Sequence, residues 1–131
     1  MLLNPSGKVL FMSNRTDTDL LYDIQEALRR IKAYTHEMTY NTFLLDTRTQ
    51  DAVIRNLEII GEATKKLSVE LRNRHPNVPW KKMSGTRDRL IHDYIGVDLE
   101  IVWQIVIAEL SDLALQIAKI SVNSSTTNAE S

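Results

Sequence analysis

The sequence predicts an all-α protein, an antiparallel up-and-down bundle of four to five helices. Apolar residues recur every three or four positions through three long segments, which is the period of a helix with one buried face. Residues that favour helices dominate, and there are only 4 Gly and 3 Pro. The length of 131 residues suits one domain with a real core, and there is no internal repeat.

The first half of the chain contains two of the long helices. The first is predicted from Asp17 or Thr18 to about Glu37, and a short turn of helix follows over 39–46. The second long helix spans 47–67 and is apolar over a broad arc, which favours a central place in the bundle. Gly61 lies inside this helix and costs about 1 kcal/mol relative to Ala. We interpret this glycine as a point where another helix approaches closely.

The second half is interrupted more often. A short helix is predicted over 68–74, and a pair of prolines then breaks the chain. A further helix, over 86–95, lies between Gly85 and Gly96. Asp98 then caps the last long helix, which runs to Ile120.

We predict a single helical domain over 13–121. Residues 1–12 form an N-terminal extension, either disordered or preceding an alternative start at Met12, and 122–131 read as a disordered polar tail. The helices at 47–67 and 98–120 carry apolar residues on more than one side. One copy cannot cover all of them, so we expect a homodimer.

Composition excludes several classes of protein. There is no Cys, which removes disulfides, thiolate chemistry and Cys-based zinc sites. No paired-carboxylate metal spacing occurs, and no apolar run approaches the ~20 residues of a membrane helix. We therefore expect a cytoplasmic protein with no metal, no cofactor and no membrane partner. The net charge is −1, but the segment 72–92 holds six basic residues against one acidic, a patch that would attract a polyanion.

That patch surrounds the motif Arg87-x-x-x-x-His92-x-Tyr94. Arg presents a planar fork suited to phosphate oxygens, and His can give and take a proton near neutral pH. On a helix, Asp88 and His92 can pair, but Arg87 and His92 lie about 140° apart. That spacing suits a groove, or a second copy across a two-fold axis. By spacing alone, a solvated helix face with local ion pairs is the simpler interpretation.

The residues around the motif change which of these interpretations is favoured. The segments TQDAVIRNLEIIGEATKKL (49–67) and HPNVPWKKMSGTRDRLIHDYIGVDLEIVW (75–103) resemble the HEPN superfamily, specifically the HepT-type ribonuclease toxins of HEPN/MNT toxin–antitoxin modules. The resemblance covers about 17–120, and no motif position is replaced. It implies an RNA substrate, a homodimer and a metal-independent endoribonuclease in a type VII-like module. It also implies an MNT-type nucleotidyltransferase antitoxin that transfers AMP from ATP to Tyr94.

The resemblance assigns a role to each motif residue. Arg87 and His92 would be catalytic, with His92 as base and acid and Arg87 against the phosphate. Asp88 would support them by orienting His92, although a purely structural pairing of Asp88 remains open. The alternative function is a non-catalytic helical binding partner of a nucleotidyltransferase.

Overall fold

The computed structural model describes residues 3–4, 6–7, 15–90 and 96–130, with side chains described over 15–90 and 96–120. Residues 15–90 and 96–130 form an all-α bundle, as predicted. The described helices are α1 (Asp17–Thr35), α2 (Tyr40–Leu44), α3 (Thr47–Lys66), α4 (Val69–Arg74), α5 (Trp80–Ser84), α6 (Thr86–Leu90), α7 (Leu99–Ala108) and α8 (Leu110–Glu130). The count exceeds the predicted four to five because α2, α4 and α5 are linkers of only one or two turns and the last predicted helix is two helices; α6 is described as far as Leu90, and the rest of the predicted helix over 86–95 lies outside the described residues.

Helix α1 begins at Asp17, within the predicted choice of start. Thr16 caps it: the Thr16 hydroxyl accepts from the Asp19 amide at 3.1 Å, and the Asp19 carboxylate accepts from the Thr16 amide at 3.2 Å. The helix ends at Thr35, short of the predicted Glu37, which adopts a positive φ of 63°. Its buried face carries Leu20, Leu21, Ile24, Ala27, Leu28 and Ile31.

Helix α3 packs along α1 and is the central element, as its apolar arc predicted. Asp46 caps its start by accepting from the Thr49 amide at 2.9 Å. At its other end, the Asp17 carboxylate accepts from the Ser68 hydroxyl at 2.6 Å, which ties α1 to the start of α4. The side chains that α3 buries are Gln50, Val53, Asn56, Leu57, Ile60, Ala63 and Thr64.

The last predicted helix, 98–120, is two helices in the structure. Helices α7 and α8 meet at Glu109 with a bend of 53°. The backbone hydrogen bonds from Glu109 to Ile105 and from Leu113 to Glu109 persist across the bend, at 3.0 and 3.2 Å. The apolar period of the sequence continues unchanged through the bend, so the sequence gives no sign that the helix is divided at Glu109.

Helix α8 is described as far as Glu130, within the segment 122–131 that the sequence predicts as a disordered polar tail, and the disorder of that tail stays a prediction. The tail contains no Gly or Pro, and extending an existing helix costs far less than nucleating one. Residue 131 lies outside the described residues.

The predicted extension at 1–12 is described only in part. Leu3–Asn4 (β1) pairs antiparallel with Ser6–Gly7 (β2), with Leu3 opposite Gly7. The rest of this segment lies outside the described residues.

Within the described chain, no single helix has both the length and the apolar character needed to cross a membrane. The bent pair Leu99–Ala108 and Leu110–Ile120 would meet that test only jointly, on length and composition.

Candidate active site

The motif helix is brought to the bundle at a glycine. A Cβ added to Gly61 of α3 would lie 3.4 Å from the Met83 carbonyl oxygen and 3.8 Å from that of Ser84. It would also lie 3.8 Å from the Thr86 Cβ. The interpretation of Gly61 as a point of close approach is thus confirmed: the junction of α5 and α6 rests directly on it. A side chain longer than that of Ala would push this junction away.

Helix α6 has a buried and an exposed face. The buried Thr86 hydroxyl donates to the Met83 carbonyl at 2.5 Å, which fixes α6 against α5. Leu90 is buried in the core, and its carbonyl accepts from the Asp98 amide at 2.9 Å. Because these two residues hold the inner face, Arg87 and Asp88 are turned to the exterior, where both are exposed.

The two arginines of α6 have different environments. The Arg89 guanidinium donates to both carboxylate oxygens of Glu109, at 3.1 and 2.7 Å, and this planar two-point contact spans α6 and the α7–α8 bend. Lys82 of α5 lies 3.5 Å from the same carboxylate. Two of the six basic residues in the predicted patch therefore face an acidic partner, and the patch is less basic than the sequence implies.

Burial of Glu109 alone would raise the pKa of its carboxyl. The hydrogen bonds and charge of Arg89, with a smaller effect from Lys82, outweigh that burial and leave the pKa of Glu109 below its ordinary value of 4.5. A carboxylate with a lowered pKa stabilises the fold above the unfolded-state pKa, and this stabilisation is lost as pH falls through the folded-state pKa.

This gives a pH prediction. We expect the free energy of unfolding to fall below a pH of about 4.5, and the Glu109→Gln variant to lose less on acidification while being less stable at neutral pH. Urea denaturation of both proteins over a pH series measures the difference. Parallel curves for the two proteins would contradict the prediction.

Arg87, in contrast, makes no hydrogen bond or ion pair with any other described residue. It lines a groove of about 300 Å³ whose other wall is the outer face of α3, including Arg55 and Lys65. A guanidinium that is exposed and unpaired keeps its fork available for a phosphate. Arg87, one of the two predicted catalytic residues, therefore lies where a bound anion could reach it.

Asp88 is exposed and likewise has no partner within the described part of the chain. Its predicted partner, His92, lies in the segment 91–95, outside the described residues, as does Tyr94. The pairing of Asp88 with His92, the separation of Arg87 from His92 and the exposure of Tyr94 therefore stay predictions.

Over residues 15–90 and 96–120, no three His, Cys, Asp or Glu side chains are grouped so that they could hold a metal ion. The residue that sequence reasoning missed is Glu109. It lies 20 positions from Arg89 and between two apolar helices, so neither spacing nor composition singles it out.

The fold and the groove define a class: an all-α bundle whose motif helix presents an exposed arginine that has no partner among the described residues. The chain belongs to the ribonuclease HepT-like family, whose model matches residues 24–120. A Methanocaldococcus jannaschii protein named "Putative RNase MJ0127" is 48% identical over 100 residues, covering 76% of this chain and 83% of that protein. "Probable ribonuclease HepT" of Thermococcus cleftensis is 44% identical over 99 residues, covering 76% and 90%. None of the solved structures is a significant match.

Proposed function

We propose that this chain is a metal-independent endoribonuclease and the toxin of a type VII-like toxin–antitoxin module. The observation that carries the proposal is Arg87, a cation that is exposed at a groove and has no partner among the described residues. The family and the names of the two relatives, each named as an RNase or ribonuclease, support the reaction class.

The proposed reaction is a transesterification at phosphorus. His92 accepts the proton of the ribose 2′-hydroxyl, whose oxygen attacks the adjacent phosphorus. The bond to the 5′-oxygen breaks, and that oxygen takes a proton from the imidazolium of the same His92 or of its copy in a dimer. The products are a 2′,3′-cyclic phosphate and a free 5′-hydroxyl. Arg87 stabilises the charge that accumulates on the phosphorane oxygens.

We further propose that the enzyme is a homodimer whose two motif helices lie near the two-fold axis. The bend between α7 and α8 leaves large apolar side chains uncovered: Ile107 is 57% exposed and Leu115 is 65% exposed, and both line one groove. Apolar surface of this kind supports association with a second copy. A composite cleft would also bring Arg87 of one copy near His92 of the other.

The proposed control is adenylylation of Tyr94 by an MNT-type nucleotidyltransferase antitoxin, in the cytoplasm. An AMP group beside Arg87 would occupy the groove and place a negative charge where the substrate phosphate binds. Asp88 is proposed to orient His92 and to favour its charged form.

The experiment is cleavage of a labelled single-stranded RNA by the purified full-length chain in excess EDTA, with the products read by mass. We expect cleavage with 2′,3′-cyclic phosphate ends, and a specific activity that falls on dilution as the dimer dissociates. Loss of activity in EDTA with recovery on adding a divalent ion would contradict the proposed chemistry. An inert protein that forms a stable complex with a nucleotidyltransferase would instead favour the non-catalytic binding partner.

A further inference from the structure

The groove beside Arg87 is lined by charged residues of α3 that no motif includes. Arg55, Glu58, Glu62 and Lys65 fall at spacings of three, four and three residues along this helix. On an α-helix those spacings place all four, together with Gly61, within an arc of about 120°. They therefore form one continuous charged strip, which runs past the point where α6 meets Gly61.

The two cations stand at the ends of this strip. Arg55 and Lys65 are ten residues apart, which is about 15 Å along the helix axis, and both are exposed. Arg87 lines the same groove from the opposite wall. Arg55 makes no hydrogen bond or ion pair with another described residue. Among the described residues, the Lys65 ammonium pairs with the Glu62 carboxylate alone, at 3.4 Å, and more than half of each side chain is exposed.

An exposed pair of this length holds its partners weakly, by about 0–1 kcal/mol. A phosphate can therefore compete with Glu62 for the Lys65 ammonium. Three cations against the two carboxylates leave the groove with a formal charge of +1. A net charge this small favours weak, salt-sensitive binding of a short stretch of a polyanion over tight binding.

From these observations we infer that α3 guides the substrate: Arg55 and Lys65 bind phosphates of a short single-stranded RNA segment on either side of the phosphate held by Arg87. The inference rests on the proposed ribonuclease function, which it extends from the reacting phosphate to the flanking nucleotides. We propose a single strand because its flexible backbone can follow a groove that is lined by cations. Glu62 weakens the contact by holding Lys65 and by repelling the strand.

Helix α3 supplies its own matched control. Lys66 follows Lys65 directly and is also exposed, but it lies about 100° further round the helix. It lines a second groove, of about 520 Å³ between α1 and α3, which Arg55, Glu58 and Glu62 also line but Lys65 does not. A general effect of positive charge near the end of α3 would involve both lysines equally, whereas guidance along the strip involves only Lys65.

The experiment measures binding apart from cleavage. A fluorescein-labelled, single-stranded 2′-O-methyl RNA, which lacks the attacking hydroxyl, is titrated with the full-length protein at several salt concentrations and followed by anisotropy. One phosphate contact on a single strand contributes about 0.7 to the slope of log K against log salt, or about fivefold in affinity at 0.1 M salt. We expect Lys65→Ala to lower the salt slope by about 0.7 and the affinity by about fivefold, and Lys66→Ala to change neither quantity. Glu62→Gln should bind the RNA up to about fivefold more tightly.

Equal effects of Lys65→Ala and Lys66→Ala would overturn the inference. So would a Lys65→Ala variant that binds RNA normally but no longer binds a nucleotidyltransferase partner, since the strip would then be a protein-docking surface. Circular dichroism of each variant establishes that the bundle is intact. A wild-type protein that binds the probe through Lys65 but cleaves no RNA would disprove the ribonuclease proposal and leave the guiding strip in place.

Discussion

Replacing Arg87 with Ala is expected to lower kcat for RNA cleavage by about 10²- to 10³-fold, the usual cost of removing one donor that stabilises a transition-state oxyanion. The same substitution should change the free energy of unfolding by no more than about 0.5 kcal/mol, because surface substitutions without partners rarely do more. Arg87 is exposed, and it forms no ion pair or hydrogen bond with the other described residues. Arg87→Lys should fall between wild type and Ala, since Lys keeps the charge but loses the two-point fork.

The matched control is Arg89, two residues further along the same helix. Its guanidinium is held by Glu109 at 2.7 and 3.1 Å, so Arg89→Ala should destabilise the bundle, by about 1 kcal/mol for this partly exposed pair. Activity should survive in Arg89→Ala at temperatures where the protein remains folded. Single-turnover cleavage and thermal unfolding of both variants make the comparison. A reversed pattern, with Arg89→Ala inactive and Arg87→Ala merely unstable, would mean that the wrong arginine has been assigned to catalysis.

His92 is the other residue whose replacement is expected to lower kcat. His92→Ala is expected to lose about 10²- to 10⁴-fold in kcat, the range for a positioned acid–base group. Activity that persists in His92→Ala would require a different proton carrier and would remove the transesterification mechanism proposed for the motif.

Features with a local physical signature could be predicted from the sequence. The stripes of α1 and α3 were predictable because residues such as Ile24, Leu57 and Ile60 recur with the period of the buried face. Gly61 was predictable for a different reason, since a glycine destabilises a helix interior and its presence there indicates a close approach of another element. Arg87 was identified through the family resemblance of the residues around it. Its exposed position is compatible with the catalytic role predicted for it.

Features that depend on distant contacts could not be predicted in this way. The apolar pattern of 98–120 keeps its period through the bend at Glu109, so the sequence reads as one helix. The contact of Glu109 with Arg89 joins residues 20 positions apart, and it removes from the predicted basic patch a charge that composition alone would count.

Tyr94 is the residue that the nucleotidyltransferase antitoxin is proposed to modify. Incubating the protein with its nucleotidyltransferase partner and ATP is expected to add one AMP to Tyr94 and to abolish RNA cleavage. The group carries about one negative charge at neutral pH and would lie near Arg87, where it competes with the substrate phosphate by charge and by volume. Tyr94→Phe should keep most of the cleavage activity, because the ring remains, yet it should escape silencing because the hydroxyl that accepts AMP is gone.

The structure provides internal controls for this experiment. Tyr22 is 63% exposed and Tyr34 is 43% exposed, so a transferase that modifies any reachable tyrosine would label them as well. Tyr40 is half-buried, its ring centroid 6.4 Å from that of Trp103, and it should not react in the folded protein. Peptide mapping by mass spectrometry distinguishes these sites. Because both exposed tyrosines lie on α1, a label there would require recognition of a different surface, and silencing of the Tyr94→Phe variant by the same treatment would show that the switch is another residue.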